Sequence, residues 1–224
     1  MEVDCQPFEE LPFGIETNRL AKQKASRLDD RERDVYHWVL RRLADGRELT
    51  RGDLESAARE RGIEPEAIAA RLEEQDLVLF DPTSERLRSA YPFSGVPTRH
   101  EVLLDAHEQT VDAMCAIDAL GMPYMLGKSA TITSRDPRSG HAITVRVDVD
   151  ISETRWKPSS AVVVTGAARG TGSIASLYCP VINFFESAES AKAFLEARDD
   201  VDGTILSIPE AVVAGRAFFE GLLG

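Results

Sequence analysis

Apolar positions recur at helical spacing in the first third of the chain and change to strand-like alternation after it. Val35, Trp38, Val39 and Leu43 mark a first amphipathic helix, with Asp29 and Asp30 placed to cap it and Gly46 to end it. Thr50-Arg51-Gly52-Asp53 opens a second helix through Leu54, Ala57 and Ala58 to Gly62. Glu64-Pro65-Glu66 opens a third, carrying Ile68, Ala69 and Leu72, with proline suited to a first turn. Leu77 to Phe80, the Asp81-Pro82 turn and Leu87 read as a hairpin, so three short helices and two strands predict a small winged-helix-like module. Further on, Val102 to Leu104, residues 129–133, residues 143–149, Ala161 to Val164 and Val181 to Phe185 have strand character, and the turn formers Arg135 to Gly140 join the second and third of these into a hairpin. Ser187 is placed to cap a helix through Phe194 and Leu195. A last helix follows the Ser207-Ile208-Pro209-Glu210 capping box.

The pattern predicts an α+β fold. A winged-helix-like helical domain over residues 28–92 packs on a mixed α/β core with antiparallel strands over 93–224, after an N-terminal arm over 1–27. The core is organised around Thr110 to Pro123, where Val111, Met114, Ile117 and Leu120 recur at helical spacing and Gly121 with Pro123 supplies a stop. On such a helix Cys115 and Asp118, three apart, share a side. A thiol in an apolar helix is ordinarily a small core residue. A second cysteine downstream, Cys179 in Leu177 to Phe185, makes a paired role worth weighing.

Composition narrows the function. With 43% hydrophobic residues the chain can bury a core, and its net charge of −12 disfavours a nucleic-acid partner. The third helix, where a winged helix would meet DNA, carries Glu66, Glu73 and Glu74 against Arg71, the wrong sign for phosphates. No run approaches a membrane span and the first residues do not form a secretory signal, so a cytoplasmic location is expected. The 3 cysteines, Cys5, Cys115 and Cys179, include no Cys-x-x-Cys, which argues against a preformed zinc site. Cys5, in the aperiodic arm, is expected to be idle.

Thr165-Gly166-Ala167-Ala168-Arg169-Gly170-Thr171-Gly172 copies a dinucleotide-binding turn, but too little chain follows for a doubly wound sheet. The only Tyr-x-x-x-Lys, Tyr124 to Lys128, precedes the glycines; the run is therefore read as a mobile loop between two strands, close to Cys179. His100 and His107 are read as structural hydrogen-bonding residues.

Taken together, Tyr91-Pro92-Phe93-Ser94, Pro97-Thr98-Arg99-His100, Ala113-Met114-Cys115-Ala116-Ile117-Asp118-Ala119-Leu120, Leu126-Gly127 and Tyr178-Cys179 through Phe184-Phe185 resemble the organomercurial (alkylmercury) lyases. The resemblance covers roughly residues 30 to 224 in order, and Cys-x-x-Asp with a distant single cysteine is its most specific part. It implies protonolysis of a carbon–mercury bond, giving a hydrocarbon and Hg(II). Cys115 and Cys179 would hold the mercury and Asp118 would relay the proton, with metal contacts from all three. It implies no organic cofactor, release of Hg(II) to exogenous thiols and a hand-off to a mercuric reductase. Extra cysteines of some members, one in the hairpin that turns at Arg135 to Gly140 and one beside the second catalytic cysteine, are replaced here by residues near Asp136 and by Pro180. A mercury- or copper-binding protein using the same three residues without protonolysis is the alternative.

Overall fold

The computed structural model describes residues 21–150 and 153–224, the side chain of Ile174 excepted. Cys5 and most of the expected arm lie outside these residues. The end of that stretch is helical: α1 (Ala21–Ala25) buries Ala21 and Ala25 and packs on the last helix of the chain, because its small apolar residues find a partner there.

Three helices start where the side-chain chemistry directs. Asp29 caps α2 (Asp30–Ala44) in a reciprocal box with Glu32, and Thr50 caps α3 (Arg51–Glu60) with Asp53. Pro65 occupies the first turn of α4 (Pro65–Glu74). β1 (Val78–Phe80) and β2 (Leu87–Ala90) form the hairpin, followed by β3 (Phe93–Ser94), β4 (Glu101–Leu104) and β5 (Val111–Ala113). After α5 (Ala116–Leu126) come β6 (Ala130–Arg135), β7 (Ala142–Asp148) and β8 (Glu153–Lys157). These eight strands make one antiparallel sheet, order β1-β2-β3-β5-β4-β6-β7-β8. The expected boundary at residue 92/93 therefore falls between neighbouring strands, and one apolar core runs from Ala21 to Leu222 across it.

A second antiparallel sheet, order β10-β9-β11, is built from β9 (Val162–Ala168), β10 (Asn183–Phe185) and β11 (Val201–Ser207). With it come α6 (Ile174–Leu177), α7 (Ala188–Glu196), capped by Ser187, and α8 (Ile208–Phe219), which opens on the Ser207/Glu210 box. The fold is mixed α+β with antiparallel sheets. No described helix is long and apolar enough to cross a membrane.

Two expectations are corrected. The Thr110–Pro123 stretch is not one helix: residues 111–113 pair with β3 and β4, and the helix begins only after Cys115. Its start is set by backbone N–H groups that need a cap, which the Cys115 sulfur supplies by accepting from Asp118 N at 3.4 Å. Nor do Gly121 and Pro123 stop it; α5 continues to Leu126 and ends at left-handed Gly127. The second correction concerns Thr165–Gly172. Its first half lies in β9, flanked on both sides by antiparallel neighbours, where Gly166 lets the backbone approach Asp202 O. Only Arg169 to Gly172 lie outside the strand, so the expected loop is shorter than the run; the parallel crossover of a dinucleotide-binding turn is missing around β9.

Gly121 has a different task. α5 is apolar all round, buried from Ala116 to Pro123, and lies backbone to backbone on α8. A Cβ on Gly121 would stand 2.3 Å from the Phe219 ring and 2.7 Å from Gly215 O; one on Gly215 would stand 2.9 Å from Ile117 O. Gly215→Ala is therefore expected to cost roughly 1–3 kcal/mol of stability, measured by urea unfolding. A neutral result would mean that the helices separate easily.

Candidate functional site

Sequence order places Cys115 at the junction of β5 and α5, where an extended backbone turns into a helix. Asp118 sits one turn in. Cys179 comes from the segment between α6 and β10, and a backbone hydrogen bond from Ala116 N to Ile182 O (3.1 Å) ties that segment to the start of α5. Val181 N and Ile182 N both return to Tyr178 O, while Asn183 Nδ2 donates to Pro180 O at 2.9 Å. The turn carrying Cys179 is thus closed on itself and latched to the helix that carries the other two residues.

The outcome is a cluster in which one ligand atom each from Cys115, Asp118 and Cys179 lies within 4.8 Å of the others. All three side chains are buried, 3%, 6% and 7% exposed respectively. Asp118 Oδ2 has no hydrogen-bond partner, an unusual state for a buried carboxyl oxygen. Burial pushes the Asp118 pKa up to about 7, against the lowering effect of the Cys115 thiol and N–H. Burial, followed by the hydrogen bond to Cys179 and the Asp118 charge, holds the Cys115 thiol well above the ordinary thiol range. For Cys179 the hydrogen bond from Cys115 acts downward, but burial and the Asp118 charge outweigh it and the net shift is upward. Near neutral pH the site rests as two protonated thiols beside a carboxyl close to its midpoint.

An open cleft of about 1060 Å³ leads to the cluster. Cys179 lines it with Met114, Pro180 and Asn183, while Cys115 and Asp118 stand behind. Two sulfurs and a carboxyl at this spacing suit a soft, low-coordinate metal centre, and a carboxyl that titrates near 7 can take up and give back a proton.

His100 is not part of this cluster. It is buried, meets Ser134 Oγ through Nδ1 at 2.9 Å and stands edge-on to Phe184. Burial, with the nearby Arg99 charge, pushes its pKa down to about 3, so it stays a neutral structural link between β4 and β6. His107 Nε2 lies 3.0 Å from Lys128 Nζ, away from the sulfurs. Asp136, buried at the hairpin tip, accepts from Arg138 N, Ser139 N and, across to the second sheet, Glu186 N. Sequence reasoning missed the Pro180–Asn183 clasp and this cross-sheet contact. Neither leaves a periodic signal.

Residues 93–220, more than half of the chain and including all three cluster residues, match the family model described as alkylmercury lyase. The alkylmercury lyase of Streptomyces lividans is 28% identical over 192 residues, 84% of this chain and 83% of that protein. That of Bacillus cereus is 31% identical over 121 residues, 54% of this chain and 53% of that protein. Among solved structures, the mercury-bound form of MerB2 superposes with a TM-score of 0.74 at 21% identity, covering 91% of this chain and 98% of that one, a likeness of fold.

Proposed function

The chain belongs to the alkylmercury lyase family, and on that premise we propose that it cleaves carbon–mercury bonds by protonolysis at Cys115, Asp118 and Cys179. The observation that carries this reading is the buried cluster itself, two thiols within 4.8 Å of a carboxyl oxygen, with Asp118 Oδ2 unpartnered. Cys179 lines the cleft, so it meets the organomercurial first. Its sulfur bonds to mercury as the incoming thiolate ligand leaves, and that thiolate takes the Cys179 proton. Cys115 supplies the second sulfur and passes its proton to Asp118.

Two thiolates on mercury raise the electron density on the attached carbon. Asp118 then gives its proton to that carbon, the carbon–mercury electron pair becoming the new carbon–hydrogen bond. The hydrocarbon departs, and Hg(II) stays on Cys115 and Cys179 until external thiols remove it. The sum is one organomercury thiolate and two thiols converted to one hydrocarbon, one thiol and a mercury dithiolate. No organic cofactor enters. In the cell, which we take to be the cytoplasm, the mercury would pass to a mercuric reductase.

The helices α2 to α4 with the β1–β2 hairpin act, in this reading, as a winged-helix-like cover for the 93–224 core rather than as a nucleic-acid reader. Its exposed α4 residues Glu66 and Glu74 carry the wrong charge for phosphate. The test is turnover. Purified protein with phenylmercury and excess thiol should release benzene far faster than thiol buffer alone. Release no faster than buffer, with mercury still bound, would leave a soft-metal-binding protein instead.

A further inference from the structure

The mouth of the cleft carries a charge arrangement that the reaction does not use. β4 and β6 pair with Glu101 opposite Thr133. Continuing that antiparallel register one step beyond the end of β4 brings His100 level with Ser134, and their 2.9 Å hydrogen bond shows that the register holds there. Next along the chain stand Arg99, in a bend just before His100, and Arg135, the last residue of β6. Both arginines are exposed and both line the cleft that Cys179 lines.

Neither guanidinium has a carboxylate partner among the described residues; Arg135 reaches only Gly140 O, at 3.3 Å. A third arginine, Arg88, lines the same cleft and stands 3.8 Å from Asp81. The acids on the cleft wall do not neutralise the pair. Asp136 is buried and occupied by backbone N–H groups, and Glu101 makes no ion pair among the described residues. The remainder of the lining is rich in hydroxyls, Ser89, Ser94, Ser173 and Ser176 among them. On a chain of net charge −12 this is a local inversion of sign at the entrance to the reactive sulfur.

We propose that Arg99 and Arg135 form an anion clamp that recognises a carboxylate carried into the cleft on the mercury compound. The inference rests on the lyase reading and names its substrate class: organomercury bearing an anionic substituent. That carboxylate can sit on the thiol that delivers the mercury or on the organic group that is cleaved. A carboxylate held by two guanidiniums at the mouth leaves the mercury end pointing inward to Cys179.

The experiment separates the two sources. Phenylmercury is supplied as its adduct with mercaptosuccinate, with neutral 2-mercaptoethanol or with cationic cysteamine. In a second arm, carboxyphenylmercury and phenylmercury are compared, both on 2-mercaptoethanol. In each case kcat/KM is measured at low and high salt. The anionic form of at least one arm should exceed its neutral counterpart by roughly tenfold at low salt, the cationic adduct should be slowest, and salt should erase the differences.

In Arg99→Gln/Arg135→Gln the anionic-to-neutral ratio should fall to about one. Arg99→Lys/Arg135→Lys should keep most of it, and Arg198→Gln, an arginine paired with Asp200 elsewhere, should not alter it. The clamp is overturned if both arms show no charge preference, or if the preference survives in the glutamine variant. Turnover on the neutral adducts reports the lyase reading separately, so failure of one is distinguishable from failure of the other.

Discussion

Asp118→Asn is expected to keep mercury on the protein while hydrocarbon release falls by roughly a hundred- to ten-thousandfold, the contribution typical of a positioned acid–base group. Asparagine has nearly the volume of aspartate, and both sulfurs remain, but no proton can be relayed from Cys115 to carbon. Mercury affinity is measured by competition against a small dithiol, and rate by hydrocarbon evolution. A loss of affinity matching the loss of rate would make Asp118 a ligand or a support.

The same substitution has a stability signature whose sign follows from burial. Asp118 ionises near its ordinary 3.8 in the unfolded chain and only near 7 when folded. As pH rises from about 4 to about 7 the unfolded chain releases this proton while the folded chain retains it. Stability contributed through this group is therefore lost across that window and levels off above it. The full difference amounts to roughly 4 kcal/mol for a fully buried carboxyl. Asp118→Asn should thus gain on the parent as pH is raised from 4 to 8, read by urea unfolding at both ends. A constant difference across that range would show that the carboxyl ionises normally in the folded protein.

Cys115→Ser and Cys179→Ser form the second large prediction, because they should differ in kind from Asp118→Asn. A hydroxyl is a hard and poor ligand for mercury, so each variant should lose retention as well as turnover. Cys179 lines the cleft and Cys115 lies behind it. Cys179→Ser should accordingly block capture of the organomercurial. Cys115→Ser should still form a single-sulfur adduct that retains its organic group. Mass spectrometry of each variant after exposure to phenylmercury distinguishes these states, and identical adducts on both would remove the proposed order of attack.

Much of the fold was legible because it rests on local chemistry. The caps at Asp29, Thr50, Ser187 and Ser207 each satisfy helix N–H groups through their own side chains, so their sequence positions fix the starts of four helices. The hairpin of β6 and β7 was readable from β-branched alternation around Asp136 to Gly140. The Cys115 stretch misled because Val111 and Met114 fit a helical period by coincidence, while the strand pairing that claims residues 111–113 comes from residues far apart in sequence. Gly121 reads locally as a helix breaker, yet its lack of a side chain is required by α8, almost a hundred residues on. Thr165–Gly172 was half misread for the same reason: a glycine that admits a neighbouring strand, as Gly166 does, looks identical in sequence to one that sits in a loop.

The candidate site was legible as residue types and order, since thiols and a carboxyl three apart narrow the chemistry. Its closure was not. The hydrogen bond from Ala116 N to Ile182 O that brings Cys179 to the others joins two backbone groups and leaves no trace in side-chain pattern. That Arg99 and Arg135 line one cleft becomes visible only once β4 and β6 are known to be neighbours.

Single-turnover mass spectrometry tests the central claim most directly. Protein and phenylmercury are mixed at equal concentration without added thiol, benzene is counted, and the intact protein is weighed under native conditions. Protonolysis at the cluster predicts one benzene per chain and a protein heavier by mercury alone, bound through Cys115 and Cys179. A stable adduct that still carries the phenyl group, with no benzene released, would contradict it.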